Sequence, residues 1–99
     1  MDSVLNESWF SLSLVQQMIN IGNEVKRAVK FDSNKQKKAM FLSKAIQYTE
    51  LSMKDPKNLR VLPELNISKM VLEDYMGEHF LNCTKEQINN YYSTYMHLL

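Results

Sequence analysis

The chain has 99 residues, of which 44% are apolar and 23% charged, and its formal net charge is +1. This length predicts one domain rather than two, and so small a net charge argues against a domain that is basic throughout. With only two Gly and two Pro, the chain lacks the turn residues that a many-stranded sheet needs, so we predict an all-α fold.

The first predicted helix contains a stretch without charge, SWFSLSLVQQMINIGN, from Ser8 to Asn23. A membrane-spanning helix needs about 20 predominantly apolar residues, and this stretch is shorter and carries several amides, so we predict no membrane segment. Its apolar residues recur at three- and four-residue steps on two neighbouring stripes, which predicts a buried helix over residues 8–31 with Ser8 as N-cap. Gly22 inside it predicts either close approach of another helix's backbone or a local bend, with a hinge as the functional alternative.

The second predicted helix covers residues 34–54 and begins at a capping box formed by Ser33 and Gln36. Asp55 and Pro56 then have the pattern of an N-cap and first position, which predicts a short helical turn over residues 56–61. The third helix is predicted over residues 63–76, ending at Gly77. Its predicted buried side carries Leu65, Leu72 and Met76, flanked by Ile67, Val71 and Tyr75.

A last helix begins at a second capping box, Thr84 with Gln87, and has an apolar side that continues to Leu99. The links between these four helices are short, and short links favour antiparallel neighbours. We therefore predict an all-α four-helix up-and-down bundle that forms a single domain over residues 1–99.

The chain carries few groups suited to catalysis or metal binding. The two glycines lie too far apart for a phosphate-binding loop. His79 and Cys83 are four residues apart, but a structural zinc site needs four ligands. We predict no catalytic residue, no cofactor and no metal site, with an enzyme that uses His79 as a less favoured alternative. A single cysteine, and an N-terminus without Lys or Arg before the apolar stretch, lead us to expect a cytoplasmic protein.

Charge is concentrated in residues 26–44, the basic segment, which holds seven Lys or Arg residues and one acid, Asp32. Such a cluster at the turn between two helices is able to contact phosphates. The candidate nucleic-acid contacts are Lys26, Arg27, Lys30, Lys35, Lys37 and Lys38. The alternative is that these side chains only solvate two helix ends.

Three tyrosines, Tyr91, Tyr92 and Tyr95, lie within five residues of the last helix. Tyrosine suits both the edge of a core and a protein interface, because its ring packs while its hydroxyl stays hydrated. We predict core packing first and a protein interface as the alternative, and the seven methionines of the chain favour a partner or self-association face.

Four segments together resemble a group of small all-helical bacterial proteins that has no assigned activity: IGNEVKRAVKF, KAIQYTELSMKDPKN, LEDYMGE and TKEQINNYY. The resemblance covers Ile21 to Tyr92 and implies a helical fold. The chain also resembles, more weakly, the helical bundles of the HEPN superfamily, whose ribonucleases use an Arg followed four to six residues later by a His. Neither Arg27 nor Arg60 has such a histidine, so this resemblance implies a non-catalytic accessory subunit of antitoxin type.

These patterns lead us to expect a non-enzymatic helical module that binds a protein partner or forms a homodimer. The alternative is a nucleic-acid-binding or accessory subunit that uses the basic segment.

Overall fold

The computed structural model describes residues 3–77 and 84–96, and these residues form helices without any strand. The helices are α1 (Ser3–Phe10), α2 (Leu14–Lys30), α3 (Lys35–Lys54), α4 (Leu62–Met76) and α5 (Lys85–Met96), with a 3-10 helix, Pro56–Val61, ahead of α4. The long helix α2 packs against α3 and α5, and α3 packs against α4. The predicted all-α four-helix bundle is confirmed, with α1 as a short additional helix against α3.

The prediction of one helix over residues 8–31 is wrong, because α1 ends at Phe10 and a separate helix, α2, begins at Leu14. Ser13, not Ser8, is the N-cap of α2. Its hydroxyl accepts a hydrogen bond from the backbone N–H of Gln16 at 3.1 Å, and its own N–H donates to the Gln16 side chain at 2.9 Å. This reciprocal pair of hydrogen bonds satisfies two backbone N–H groups at the helix start, so a new helix can begin there.

The other helix starts are close to their predicted positions. Asn34, one residue after the predicted Ser33, caps α3 by accepting from the N–H of Lys37 at 3.2 Å. Asp55 caps the 3-10 helix by accepting from the N–H of Lys57 at 3.1 Å. The capping box of Thr84 and Gln87 is present, with both hydrogen bonds at 2.9 and 3.1 Å. The predicted extension of the last helix to Leu99 lies outside the described residues.

One apolar core joins the five α-helices. On α2 its members belong to one of the two predicted stripes, while Val15, Ile19 and Val29 of the other stripe are only partly buried. The buried apolar side chains are Trp9, Met18, Ile21, Val25, Ala28, Leu42, Ala45, Ile46, Leu51, Leu65, Leu72, Tyr75, Ile88 and Tyr92. Met76, predicted on the buried side of α4, is instead 41% exposed, and Ile67, predicted to flank that side, is 60% exposed.

Gly22 lies at a close approach of α2 and α5. A Cβ atom placed on Gly22 would lie 3.0 Å from the Cβ of Tyr92, which is tighter than ordinary contact, so glycine allows the two helices to come this near without displacing Tyr92. The predicted close approach of another helix is confirmed, and it accounts for a glycine in the interior of a helix.

A buried polar cluster fastens the end of α1 to the bundle. The side chain of Gln17, on α2, donates to the backbone oxygen of Trp9 at 3.0 Å and to the carboxylate of Asp55 at 2.9 Å. Asn58 donates to the Gln17 side-chain oxygen at 2.8 Å and to the backbone oxygen of Ser52 at 2.9 Å. The helix break after Phe10 is therefore a fixed corner rather than a loose joint.

Two further contacts complete this cluster. The indole N–H of Trp9 donates to the hydroxyl of Ser52 at 3.0 Å. Lys57 bonds the carboxylate of Asp55 and the backbone oxygen of Phe10. Burial alone would raise the pKa of Asp55, but hydrogen bonds from Lys57 and Gln17 outweigh it and leave the pKa below its ordinary value.

Candidate functional site

An apolar groove separates α4 from α5. α4 packs on α3 and α5 packs on α2, so the two helices have little direct contact with each other. Its volume is about 250 Å³. We refer to it as the α4/α5 groove, and its lining side chains are Glu64, Ile67, Ser68 and Val71 of α4 and Gln87, Ile88, Tyr91 and Tyr92 of α5.

Hydrogen bonds between polar side chains connect α4 and α5 across one part of the α4/α5 groove. The hydroxyl of Tyr91 lies 3.0 Å from the hydroxyl of Ser68 and donates to the carboxylate of Glu64 at 3.3 Å. These bonds fix the position of the Tyr91 side chain within the groove. The remaining wall, formed by Ile67, Val71 and Ile88, is apolar.

Two large apolar side chains of α4 are left in solvent beside the groove. Ile67 is 60% exposed and lines it, and Met70, three residues later, is 52% exposed. Residues three apart on a helix are surface neighbours, so Ile67 and Met70 form a continuous apolar edge. Burying such an edge against a partner would gain free energy that the isolated chain does not gain.

The charged side chain in the lining of the groove is an acid, Glu64. The two lysines of these helices are directed elsewhere. Lys69 pairs with Glu50 of α3 at 3.6 Å, and Lys85 pairs with Asp32 at 3.6 Å.

The three tyrosines of α5 have different surroundings. Tyr92 is 3% exposed and packs in the core against Gly22, while half-buried Tyr91 stands in the groove with its ring edge-on to Tyr92, the centroids 5.0 Å apart. The side chain of Tyr95 lies outside the part that the structure describes. Tyr91 is thus the described tyrosine best placed to meet a partner, and the interface role of the three stays a prediction.

Several cations of the basic segment are engaged within the protein. Arg27 bonds Glu24 at 2.7 Å, and Lys38 bonds Asp32 at 3.2 Å. The ammonium of Lys37 lies 4.7 Å from the centroid of the Phe31 ring. The side chains of Lys26, Lys30 and Lys35 are exposed. Nucleic-acid contact by these six residues stays a prediction, and the internal partners reduce the charge available for phosphates.

Asp32 is the centre of an ionic cluster at this end of the bundle. Its carboxylate accepts a hydrogen bond from the Tyr75 hydroxyl at 2.6 Å, and the ammonium of Lys38 lies 3.9 Å from the centroid of the Tyr75 ring. The bond from Tyr75, assisted by Lys38 and Lys85, lowers the pKa of Asp32 below its ordinary value. Burial and the facing carboxylate raise the pKa of Tyr75. The cluster ties α4 to the link between α2 and α3.

The candidates for metal chemistry are not brought together where the structure describes them. Among residues 3–77 and 84–96, no three His, Cys, Asp or Glu side chains are arranged to hold a metal ion. His79 and Cys83 lie outside the described residues. Over the same described ranges, no helix combines the length and apolar character needed to cross a membrane.

Comparison with known proteins adds no relative. No protein-family model, no curated protein and no solved structure matches the chain.

Proposed function

We propose that this chain is a non-enzymatic protein-binding module whose docking surface is the α4/α5 groove. The observation that carries the proposal is the apolar wall of this groove together with the 60% exposure of Ile67 beside it. A large aliphatic side chain exposed beside an apolar depression is a frequent feature of protein interaction sites.

The occupant that fits this groove is an amphipathic helix. The lining residues of α4 extend from Glu64 to Val71, which is two helical turns or about 10 Å. A partner helix that lies between α4 and α5 places the apolar side chains of one face, spaced three and four residues apart, into such a groove. The volume of about 250 Å³ suits a few aliphatic anchors, since sites for small molecules begin at about 300 Å³.

Charge complementarity defines the flanks of this partner helix. Glu64 is the charged residue of the groove lining, while Lys69 pairs with Glu50 of α3 and Lys85 with Asp32 of the link between α2 and α3. A partner with Lys or Arg beside its apolar stripe therefore gains attraction, and an acidic one is repelled. We propose a basic amphipathic helix as the partner. A second copy of this chain is the competing occupant.

The broader expectations from the sequence belong to the same proposal. A cytoplasmic location is supported by the single cysteine of the chain. The resemblance to small all-helical bacterial proteins supports a bacterial origin and supplies no activity. Nucleic-acid binding by the basic segment is the alternative, and it receives less support because Arg27 and Lys38 are paired with acids.

A binding assay with a synthetic peptide tests the proposal. The probe is a fluorescent peptide of about 14 residues with Leu at helical one-face spacing and Lys elsewhere, and a scrambled peptide of equal composition is its control. Ile67→Ser should weaken binding about tenfold, because burying an Ile side chain contributes roughly 1.5–3 kcal/mol. Leu59→Ser removes a side chain that is 72% exposed outside the groove, and it should change affinity by less than about twofold.

Three results would contradict this proposal. Equal affinity for the scrambled peptide would show that charge alone attracts the probe. An equal loss in the Ile67 and Leu59 variants would remove the groove as the binding surface. A dimer in light scattering that Ile67→Ser dissociates would replace the basic helix with a second copy of the chain as the occupant.

A further inference from the structure

A second cavity lies where the end of α1, the middle of α2 and α3 meet. Its volume is about 360 Å³. It shares no lining residue with the α4/α5 groove, and its principal lining side chains are Trp9, Leu12, Asn20, Asn23, Glu24 and Tyr48. This volume falls within the range of about 300–1,000 Å³ that small-molecule sites occupy.

Glu24 is the unusual member of this lining. It is only 7% exposed, although it carries a carboxylate. One of its oxygens, Oε1, accepts from the guanidinium of Arg27 at 2.7 Å. The other oxygen, Oε2, is buried and has no hydrogen-bond partner among the described residues. Buried carboxylate oxygens are normally paired, so Glu24 retains the capacity to accept one further donor.

An aromatic wall stands beside this carboxylate. The rings of Trp9 and Tyr48 stack with their centroids 4.8 Å apart and their planes 20° from parallel. The face of an aromatic ring attracts cations, and in this pair Tyr48 is the more accessible ring because Trp9 is only 6% exposed. Leu12 adds apolar surface, and the amides of Asn20 and Asn23 offer both donors and acceptors at the edge.

We propose that this cavity binds a small organic cation that carries N–H donors, an alkylguanidinium or alkylammonium compound. The cationic head pairs with the Glu24 carboxylate, whose buried oxygen Oε2 has to turn toward the cavity to accept an N–H, and the alkyl part packs on Trp9 and Leu12. Three features of one cavity lead to this ligand class: a buried acceptor without a donor, aromatic faces, and an apolar end. The site is independent of the proposed protein docking.

Butylguanidine is the first probe, and Trp9 reports its binding because it is the single tryptophan of the chain. We expect a saturable change in Trp9 fluorescence with a dissociation constant of about 1 mM or below, a value suited to a ligand of this size. Butyltrimethylammonium keeps the charge but has no N–H donor and should bind about tenfold more weakly. Neutral butanol should not saturate.

Ligand-observed NMR provides a second readout that does not depend on fluorescence. No saturable signal by either method up to about 10 mM butylguanidine, well above the expected constant, would overturn the proposal. Equal binding of butanol would also overturn it, because the cavity would then be only an apolar depression.

Three substitutions separate recognition from stability. Glu24→Gln removes the negative charge at nearly constant shape and should weaken butylguanidine binding about tenfold or more. Arg27→Met removes the cation that shares this carboxylate and should strengthen binding, about threefold. Glu64→Gln, a matched change in the α4/α5 groove, should leave affinity within about twofold. Unchanged affinity for butylguanidine in the Glu24 variant, or weaker binding in the Arg27 variant, would refute the assignment. If the Glu24 variant does not fold, the comparison of the Arg27 variant with the Glu64 variant provides the test.

Discussion

Gln17→Met tests the buried polar cluster that fixes the corner between α1 and α2. Gln17 is fully buried and makes three side-chain hydrogen bonds, to the Trp9 backbone, to Asp55 and from Asn58. Methionine has a similar length but neither donates nor accepts strongly. The variant therefore removes all three bonds with little change in packing volume.

The expected loss follows from what each former partner retains. The Trp9 oxygen still accepts from the Leu12 N–H at 3.1 Å, Asp55 keeps Lys57, and Asn58 keeps the Ser52 oxygen at 2.9 Å. Each former partner keeps at least one hydrogen bond, so each lost bond costs only its net contribution to the free energy of unfolding and not the larger cost of an unsatisfied buried group. Two neutral bonds contribute about 1 kcal/mol each and the bond to the carboxylate roughly 1.5–3 kcal/mol. Allowing about 1 kcal/mol for the more apolar Met side chain, we expect a loss of about 3 kcal/mol.

Urea unfolding of the wild type and the variant measures this loss as a difference in the free energy of unfolding. Gln47→Met is the matched control, because Gln47 is exposed on α3, and it should change stability by less than about 0.5 kcal/mol. A cost below about 1 kcal/mol for the Gln17 variant would refute the reasoning, since it would mean that the cluster contributes no more than one ordinary hydrogen bond.

Two further predictions concern packing and pH. Gly22→Ala should lower the free energy of unfolding by about 1 kcal/mol, because the strain of a Cβ placed 3.0 Å from the Tyr92 Cβ exceeds the helix-propensity gain of alanine. Gly77→Ala, whose Cβ would meet only a backbone oxygen at 3.4 Å, should cost less than about 0.5 kcal/mol, and equal costs in urea unfolding would contradict the close approach. The lowered pKa values of Asp32 and Asp55 mean that the unfolded chain binds more protons in acid, so stability should be constant above about pH 5 and fall as the pH drops below about 4. The urea midpoint of unfolding, measured between about pH 2.5 and 6, where carboxylates titrate, should fall with pH in the wild type and fall less in Asp55→Asn. Equal midpoints at the lowest and the highest pH would contradict this prediction.

Helix positions were largely predictable because capping signals and apolar spacing agree along most of the chain. Asp55 with Pro56, and Thr84 with Gln87, cap helices as predicted. The break before α2 was missed because Trp9, Leu12 and Val15 continue the three-residue spacing straight through it. The pair Ser13 and Gln16 was the available signal, and it was hidden by that continuous apolar pattern.

The two candidate sites were less accessible to sequence reasoning. The spacing of Ile67 places it beside core positions of α4, and it is exposed at the groove where α4 and α5 lie on different neighbours. No local pattern encodes the distance between two helices that pack on different neighbours. Glu24 lies three residues after Ile21 and four before Ala28, which is the spacing of a buried position, but its charge favours an exposed site.

The central claim is that the α4/α5 groove is the docking surface, and methyl NMR of isoleucine-labelled protein tests it most directly. The chain has five isoleucines, of which Ile67 and Ile88 line the groove, whereas Ile21 and Ile46 lie in the core between α2 and α3. Titration with the Leu and Lys peptide should shift the methyl signals of Ile67 and Ile88 and leave Ile21 and Ile46 in place. Binding that leaves the Ile67 and Ile88 signals unchanged would contradict the account.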